Sequence, residues 1–221
     1  MISVIGIGWM NGQEYGCILK NIREFYSDGI FPKKKIFPFS YKNIGRLDHV
    51  SKLTCAAVAL ALQDAGIACV PEHKHDAGII STNVSGSFET DMRYFRDYLD
   101  SGRTLSRGNL FIYTLPSSPS GEAAIYFGLQ GPLLYIAAGN NSMGNVLKTA
   151  ADMLIDHEAR VMLAGASEAD HAFYFVLKGE AYSGGNILCS YDDAMKVVKK
   201  ELCLREMVNE FLNLRKGITV S

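Results

Sequence analysis

The sequence has almost no excess of either charge sign. Its 22 basic and 23 acidic side chains leave a formal net charge of -1, so no whole-chain field gathers nucleic acid or holds the protein to anionic lipid. No apolar run approaches the roughly 20 residues needed to span a bilayer. The opening segment MISVIGIGWMNGQEYG has neither the basic start nor the small-residue cleavage site of a signal peptide. These absences predict a cytoplasmic protein with no nucleic-acid and no membrane partner. Cysteine is sparse: Cys17, Cys55, Cys69, Cys189 and Cys203 are odd in number and contain no CxxC pair, which argues against a disulfide framework and a zinc ribbon. Internal repeats, low-complexity tracts and linkers are also missing. Proline is rare, 6 residues against 21 glycines, a balance that suits tight turns between the regular elements of an α/β fold.

What is present is a core-forming composition. With 48% hydrophobic and 20% charged residues, 221 residues fit one large globular domain or two small ones, without extended disorder. ISVIGIG at 2–8 reads as a buried strand. Residues 14–44 are mixed in character, and the lysines at 33–35, between Phe31-Pro32 and Pro38-Phe39, read as a loop with lysines in water and aromatics beneath. From Asp48 the spacing of Val50, Leu53, Ala57, Leu60 and Ala61 predicts a helix that ends at Asp64-Ala65-Gly66. GIIST at 78–82 is a second strand. Ser85, Gly86 and Ser87 are placed to cap a helix with Phe88, Met92, Phe95 and Leu99 on one face.

Residues 103–120 read as loop, with a short helix over 122–127 before the Gly131-Pro132 turn. LLYIAA at 133–138 is a third strand, and Gly139, Asn140, Asn141 and Ser142 turn into a helix with Met143, Val146, Leu147, Ala150 and Leu154 inward, its N-cap assigned to Ser142. VMLAGA at 161–166 is a fourth strand. AFYFVL at 172–177 follows after too short a link for a parallel crossover and is predicted to run antiparallel to it. Gly184-Gly185 marks a further turn, and one long helix spans about 192–214, with 190–215 as additional helix beyond the main unit.

Four segments in order, RLDHVSKLTCAAVALALQDAGI (46–67), GIISTNVSGSFET (78–90), LPSSPSGEAAIYFGLQGP (115–132) and VMLAGASEAD (161–170), resemble the N-terminal half of β-ketoacyl synthases, members of the thiolase-fold superfamily. The resemblance extends over about residues 2–178. It implies an α/β fold that is half of a thiolase fold: a five-stranded, mostly parallel sheet in the order 3-2-1-4-5, last strand antiparallel, with helices on both faces and an extra C-terminal helix. The whole of 1–221 is expected to be a single domain of this kind.

In that family a Gly-Pro turn, a strand and a tight turn deliver a nucleophilic cysteine to a helix N-terminus, where unpaired N–H groups and the helix dipole favour the thiolate. Counting from Gly131-Pro132, this position falls on Asn140, or on Asn141 with a one-residue shift. Neither is a cysteine, and an amide has no ionisable nucleophile to take an acyl chain. Ser142 has no identifiable base beside it. The resemblance therefore implies no catalytic residue. It also implies that the second α/β unit, with the histidines and lysine that active synthases supply from it, has no counterpart in this length of chain. His49 opens a helix, His157 closes one and His171 lies in a link, none of them in a catalytic pattern. The cluster Glu72-His73-Lys74-His75-Asp76, near Cys69, suggests hydrated loop residues more than a metal site, because a lysine interrupts it. No cofactor or metal is expected.

By the same resemblance, the 133–138 strand is a dimer edge that pairs with a second copy or with a complete β-ketoacyl synthase. Acyl carrier protein is a possible further partner. Phe111, Tyr113, Leu115 and Pro116 correspond to a region near the partner's acyl tunnel, giving Phe111, Tyr113, Leu115 and Asn140 as candidate substrate-binding residues. The implied function is that of a non-catalytic, chain-length-factor-like subunit in fatty-acid- or polyketide-type chain assembly. A stand-alone homodimeric acyl or carrier-protein binding module, and a hydrolase using Ser142 or Cys189, are the alternatives.

Overall fold

A computed structural model describes residues 1–27, 31–40, 43–70, 72–104, 107–137, 139, 141–180 and 186–218. The apolar opening run forms β1 (Ser3–Asn11), and the segment after it folds back as a hairpin of β2 (Glu14–Cys17) and β3 (Ile22–Phe25). This hairpin is not legible in the mixed pattern of 14–44. It is set by the Asn11 side chain, which accepts the Gln13 and Glu14 N–H groups at 2.9 and 2.8 Å, and by a buried Glu14 bonded to Arg23 at 2.7 Å. The lysine run is a single helical turn, α1 (Lys33–Ile36), rather than a loop; its lysines face water and Ile36 and Phe37 are buried.

Helix α2 (His49–Asp64) starts at the Asp48 cap, whose carboxylate accepts the Ser51 N–H at 2.8 Å. It is buried almost all round, as expected of a helix held between a sheet and another helix. Glycines in β1 let it lie against the strand: a Cβ at Gly8 would come within 2.2 Å of the Ala61 nitrogen and 2.3 Å of the Ala57 carbonyl oxygen. Asp64 does more than end the helix. It is buried, and its carboxylate accepts the N–H groups of Ile7, Leu19 and Lys20 at 2.9, 3.0 and 2.9 Å.

Next come β4 (Ala77–Thr82) and α3 (Phe88–Asp100). The serines before α3 do not cap it: the Ser87 hydroxyl donates to Asp91. The face shared by Phe88, Met92, Phe95 and Leu99 points to solvent, the four being exposed at 66, 37, 53 and 41%. The region read as loop holds a helical turn, α4 (Gly108–Phe111), and α5 (Ser118–Phe127), which begins earlier than expected and ends at left-handed Gly128. Edge strand β5 (Leu133–Tyr135) is shorter than the 133–138 expectation, Ala138 lying outside the described residues. Helix α6 (Ser142–Ile155), β6 (Val161–Ser167) and β7 (His171–Lys178) follow, with β7 antiparallel to β6 as predicted.

The expected C-terminal helix divides into α7 (Tyr191–Val198) and α8 (Leu204–Ile218), preceded by the two-residue strand β8 (Cys189–Ser190). The break falls at the Lys-Lys-Glu run, where Glu201 adopts a positive φ of 50°. The Gly184-Gly185 turn lies outside the described residues.

The mixed α/β architecture with helices on both faces agrees with expectation, and so does the one reversed strand among the five core strands. The order does not. The sheet runs β3-β2-β1-β7-β6-β4-β5, so the first strand sits beyond the antiparallel strand instead of beside β4. Connection length explains this. The three-residue link at 168–170 forces β7 onto one edge of β6, and parallel pairing with β4 fills the other. The remaining edge of β4 takes β5. Strand β1 then pairs with the free edge of β7, over eight register positions. One face of the sheet packs on α2 and α5; on the other, Phe173 and Phe175 meet Phe211 of α8 beside α6 and α7.

Candidate functional site

The carboxyl ends of β4, β5 and β6 gather the polar residues, the place where ligands bind in open α/β sheets. Asn140 lies outside the described residues. Its neighbour Asn141 is left-handed, with φ 55° and ψ 42°, and it, not Ser142, stands at the cap of α6. The Asn141 carbonyl accepts the Asn145 N–H at 3.1 Å, starting the helix. Its amide lies over Gly144, where a Cβ would come within 2.5 Å of it, and its Oδ1 is buried without a hydrogen-bond partner among the described residues. Ser142 is in the first turn, and among the described residues no imidazole or carboxylate bonds its hydroxyl. Cys189 is buried and its thiol is pushed up to about 12, first by burial and then by Asp193. A protonated, covered thiol does not attack.

A cleft runs between the start of α2, the 83–87 loop, α3 and the 113–116 segment. Tyr113, Leu115 and Pro116 line it. Phe111 does not; its exposed ring lies 5.6 Å from that of Tyr94. The Tyr113 hydroxyl donates to the Arg46 carbonyl at 3.2 Å, and its pKa is raised to about 12 by burial, then by Glu122 and Asp48. Thr90 ties α3 to this segment through the Tyr113 carbonyl at 2.6 Å.

Residues not singled out from sequence hold the cleft in shape. Asn83 bonds Gly86 in both directions, at 2.9 and 2.8 Å, and accepts the Tyr135 hydroxyl at 2.7 Å, which joins the loop to the edge strand. Glu168 accepts the Val84 N–H at 3.0 Å. Burial raises its carboxyl above the usual range, against the opposing pull of that N–H and of His171. Below, Thr54 donates to Ser167 at 2.7 Å, Ser167 shares a 2.8 Å bond with Tyr174, and Ser120 donates to Ser81 at 2.6 Å. The sequence signal for this set was polar residues at the ends of otherwise apolar strands.

A second, more polar groove adjoins the first at Asp48, His49, Thr90, Arg93 and Tyr113, and adds Arg46 and Lys52. Among the described residues, Arg46, His49, Lys52 and Arg93 form no ion pair. In the 72–76 cluster, the His73 and His75 rings meet edge to face at 4.4 Å and Asp76 pairs with Arg160 at 3.3 Å. Among the described residues, no three His, Cys, Asp or Glu side chains converge as metal ligands, and no helix is long and apolar enough to cross a membrane.

A mixed sheet with its antiparallel strand inside, a buried central helix and a second helix launched by a tight turn from the edge strand is a thiolase-type α/β unit. The chain belongs to the β-ketoacyl synthase family, whose N-terminal domain matches residues 14–177. It is 27% identical over 128 residues to nodulation protein E of Rhizobium leguminosarum bv. trifolii, a match covering 58% of this chain and 32% of the relative. The chain thus spans about a third of the length of the curated relatives it matches. Its fold is shared with the ishigamide ketosynthase/chain length factor at a TM-score of 0.62 and 14% identity, covering 95% of this chain and 73% of that one. It is also shared with a type II polyketide acyl-carrier protein complex with its ketosynthase bound to the hexaketide, at 0.60 and 14%, covering 85% and 60%.

Proposed function

We propose that the chain is a non-catalytic, chain-length-factor-like subunit of a β-ketoacyl synthase assembly that builds fatty-acid- or polyketide-type acyl chains. What supports this reading is the sequence at the turn into α6, where the resemblance to the family puts the cysteine position at Asn140, or at Asn141 with a one-residue shift, and neither is a cysteine. An amide there can hydrogen-bond a carbonyl but forms no thioester. In this reading Asn140 takes that part.

The partner is a complete β-ketoacyl synthase, and two surfaces support this. Strand β5 is hydrogen-bonded on one side only, with Leu133 and Leu134 each 39% exposed, and an open strand edge invites pairing. The apolar stripe of α3, together with Phe111 and Leu115, is exposed, and clustered exposed apolar side chains mark interaction surfaces. In this reading Phe111, Tyr113 and Leu115 lie on the side from which the partner's acyl tunnel is shaped. The groove with Arg46, Lys52 and Arg93 suits an acidic carrier protein.

The test combines acylation with co-purification. Purified protein is incubated with acyl thioesters and its intact mass read, and the chain is co-expressed with the β-ketoacyl synthase encoded nearest to it. No adduct together with a stable complex is the expected outcome. Acylation of this chain would overturn the non-catalytic reading. A protein that stays homodimeric, ignores the synthase and still binds carrier protein would support a second reading, a stand-alone binding module, favoured by the same unpaired basic groove.

A further inference from the structure

At the far end of α2, about 24 Å from its capped start, a separate slot opens between that helix and α1. Its volume is about 360 Å³, at the small end of the range for ligand pockets. Ile36, Phe37, Ala59 and Ile67 belong to its apolar lining, and Lys20 and Lys35 are its charged groups; among the described residues no acidic side chain lines it. We infer that this slot binds an alkyl chain of medium length that ends in a carboxylate.

Three features carry the inference. The apolar lining accepts methylenes, which gain from leaving water. The rim is cationic: Lys20 has no ion-pair partner among the described residues, and Lys33, Lys34 and Lys35 face water nearby with only Lys35 paired, to Glu24 at 2.8 Å. The negative groups close by are already engaged. The Asp64 carboxylate is held by three backbone N–H groups, and the last turn of α2 closes on itself through the Gly66 and Ile67 N–H groups, bonded to the Gln63 and Leu62 carbonyls. A carboxylate meets the Lys20 ammonium there, and a neutral chain of equal length lacks that contact.

The slot has its own reporter. Cys69 lines it and is half-buried, its thiol raised to about 11 by burial, whereas Cys17, Cys55 and Cys189 are buried and Cys203 is exposed. In a Cys203→Ser background, maleimide labelling followed by peptide mass analysis therefore reads Cys69. Decanoate, below its micelle concentration, is expected to slow this labelling, and decanol to do so much less. Lys20→Glu, at an exposed side chain, is expected to raise the half-protecting decanoate concentration about tenfold or more while the thermal melt is unchanged. Lys35→Gln provides a second, milder variant with the same expected direction. The inference is overturned if decanoate leaves Cys69 labelling unchanged, or if decanol protects equally and neither lysine variant alters protection.

Discussion

Replacement of Asp64 tests whether one carboxylate joins the first strand, the hairpin and the central helix. Its Oδ2 accepts from Ile7 and Leu19 and its Oδ1 from Lys20, all at a residue 5% exposed. A buried donor left without an acceptor costs about 1–3 kcal/mol. Asp64→Asn can keep one oxygen for Ile7 and Leu19, but its NH2 then faces the Lys20 N–H, a loss of about 2 kcal/mol. Asp64→Ala strands all three donors, for about 3–6 kcal/mol after allowing for relaxation. For a domain of this size each kcal/mol lowers Tm by about 2–4 °C, so the asparagine variant should melt about 4–8 °C lower and the alanine variant lower still. Thermal and urea unfolding followed by circular dichroism measure both, and hydrogen exchange should quicken at Ile7, Leu19 and Lys20. An alanine variant melting within about 2 °C of the parent would refute the reasoning.

Three further outcomes are expected. Because burial raises the Glu168 carboxyl, the folded state holds its proton more tightly than the unfolded chain, and stability is lost as pH rises from the unfolded value through the folded one. Glu168→Gln keeps an acceptor for Val84, so its Tm relative to the parent should improve between acid and neutral pH; a pH-independent difference would contradict this. Gly144→Ala should gain about 1 kcal/mol of helix propensity in an Asn141→Gly background but less in the parent, where the new Cβ displaces the Asn141 amide; a double-mutant cycle by urea unfolding reads the coupling. Phe95→Asp, at a 53% exposed position, should change monomer stability by no more than about 0.5 kcal/mol while weakening the synthase complex in a pull-down; undiminished binding would remove α3 from the interface.

Local order was legible where one interaction dominates. The helix start at Asp48, the run through Asp64, the strand end at Thr82 and the reversal after the fourth strand all follow from spacing and link length. The β2–β3 hairpin was not, because its signal is the Asn11 side chain and a Glu14–Arg23 pair, not alternation of apolar residues. Strand order was hidden for a different reason. β1, β4, β6 and β7 are buried on both faces, so none advertises an edge in its pattern. Only the pairing rules imposed by short and long connections distinguish them.

The cleft shows the same limit at the level of function. The family pattern points to the turn at Asn140 and to Tyr113 and Leu115, yet the groups that hold the cleft, Asn83, Glu168 and the Thr54–Ser167–Tyr174 chain, come together only through long-range pairing. Helix α3 makes the point most directly. Its periodicity correctly identifies which side chains share a face, but periodicity states only that a face needs an apolar neighbour. The direction of the face is not contained in the spacing; the described residues leave Phe88 and Phe95 more than half exposed, with Met92 and Leu99 partly so. An exposed apolar face of this kind is where the proposed partner is to be sought, because such faces mark interaction surfaces.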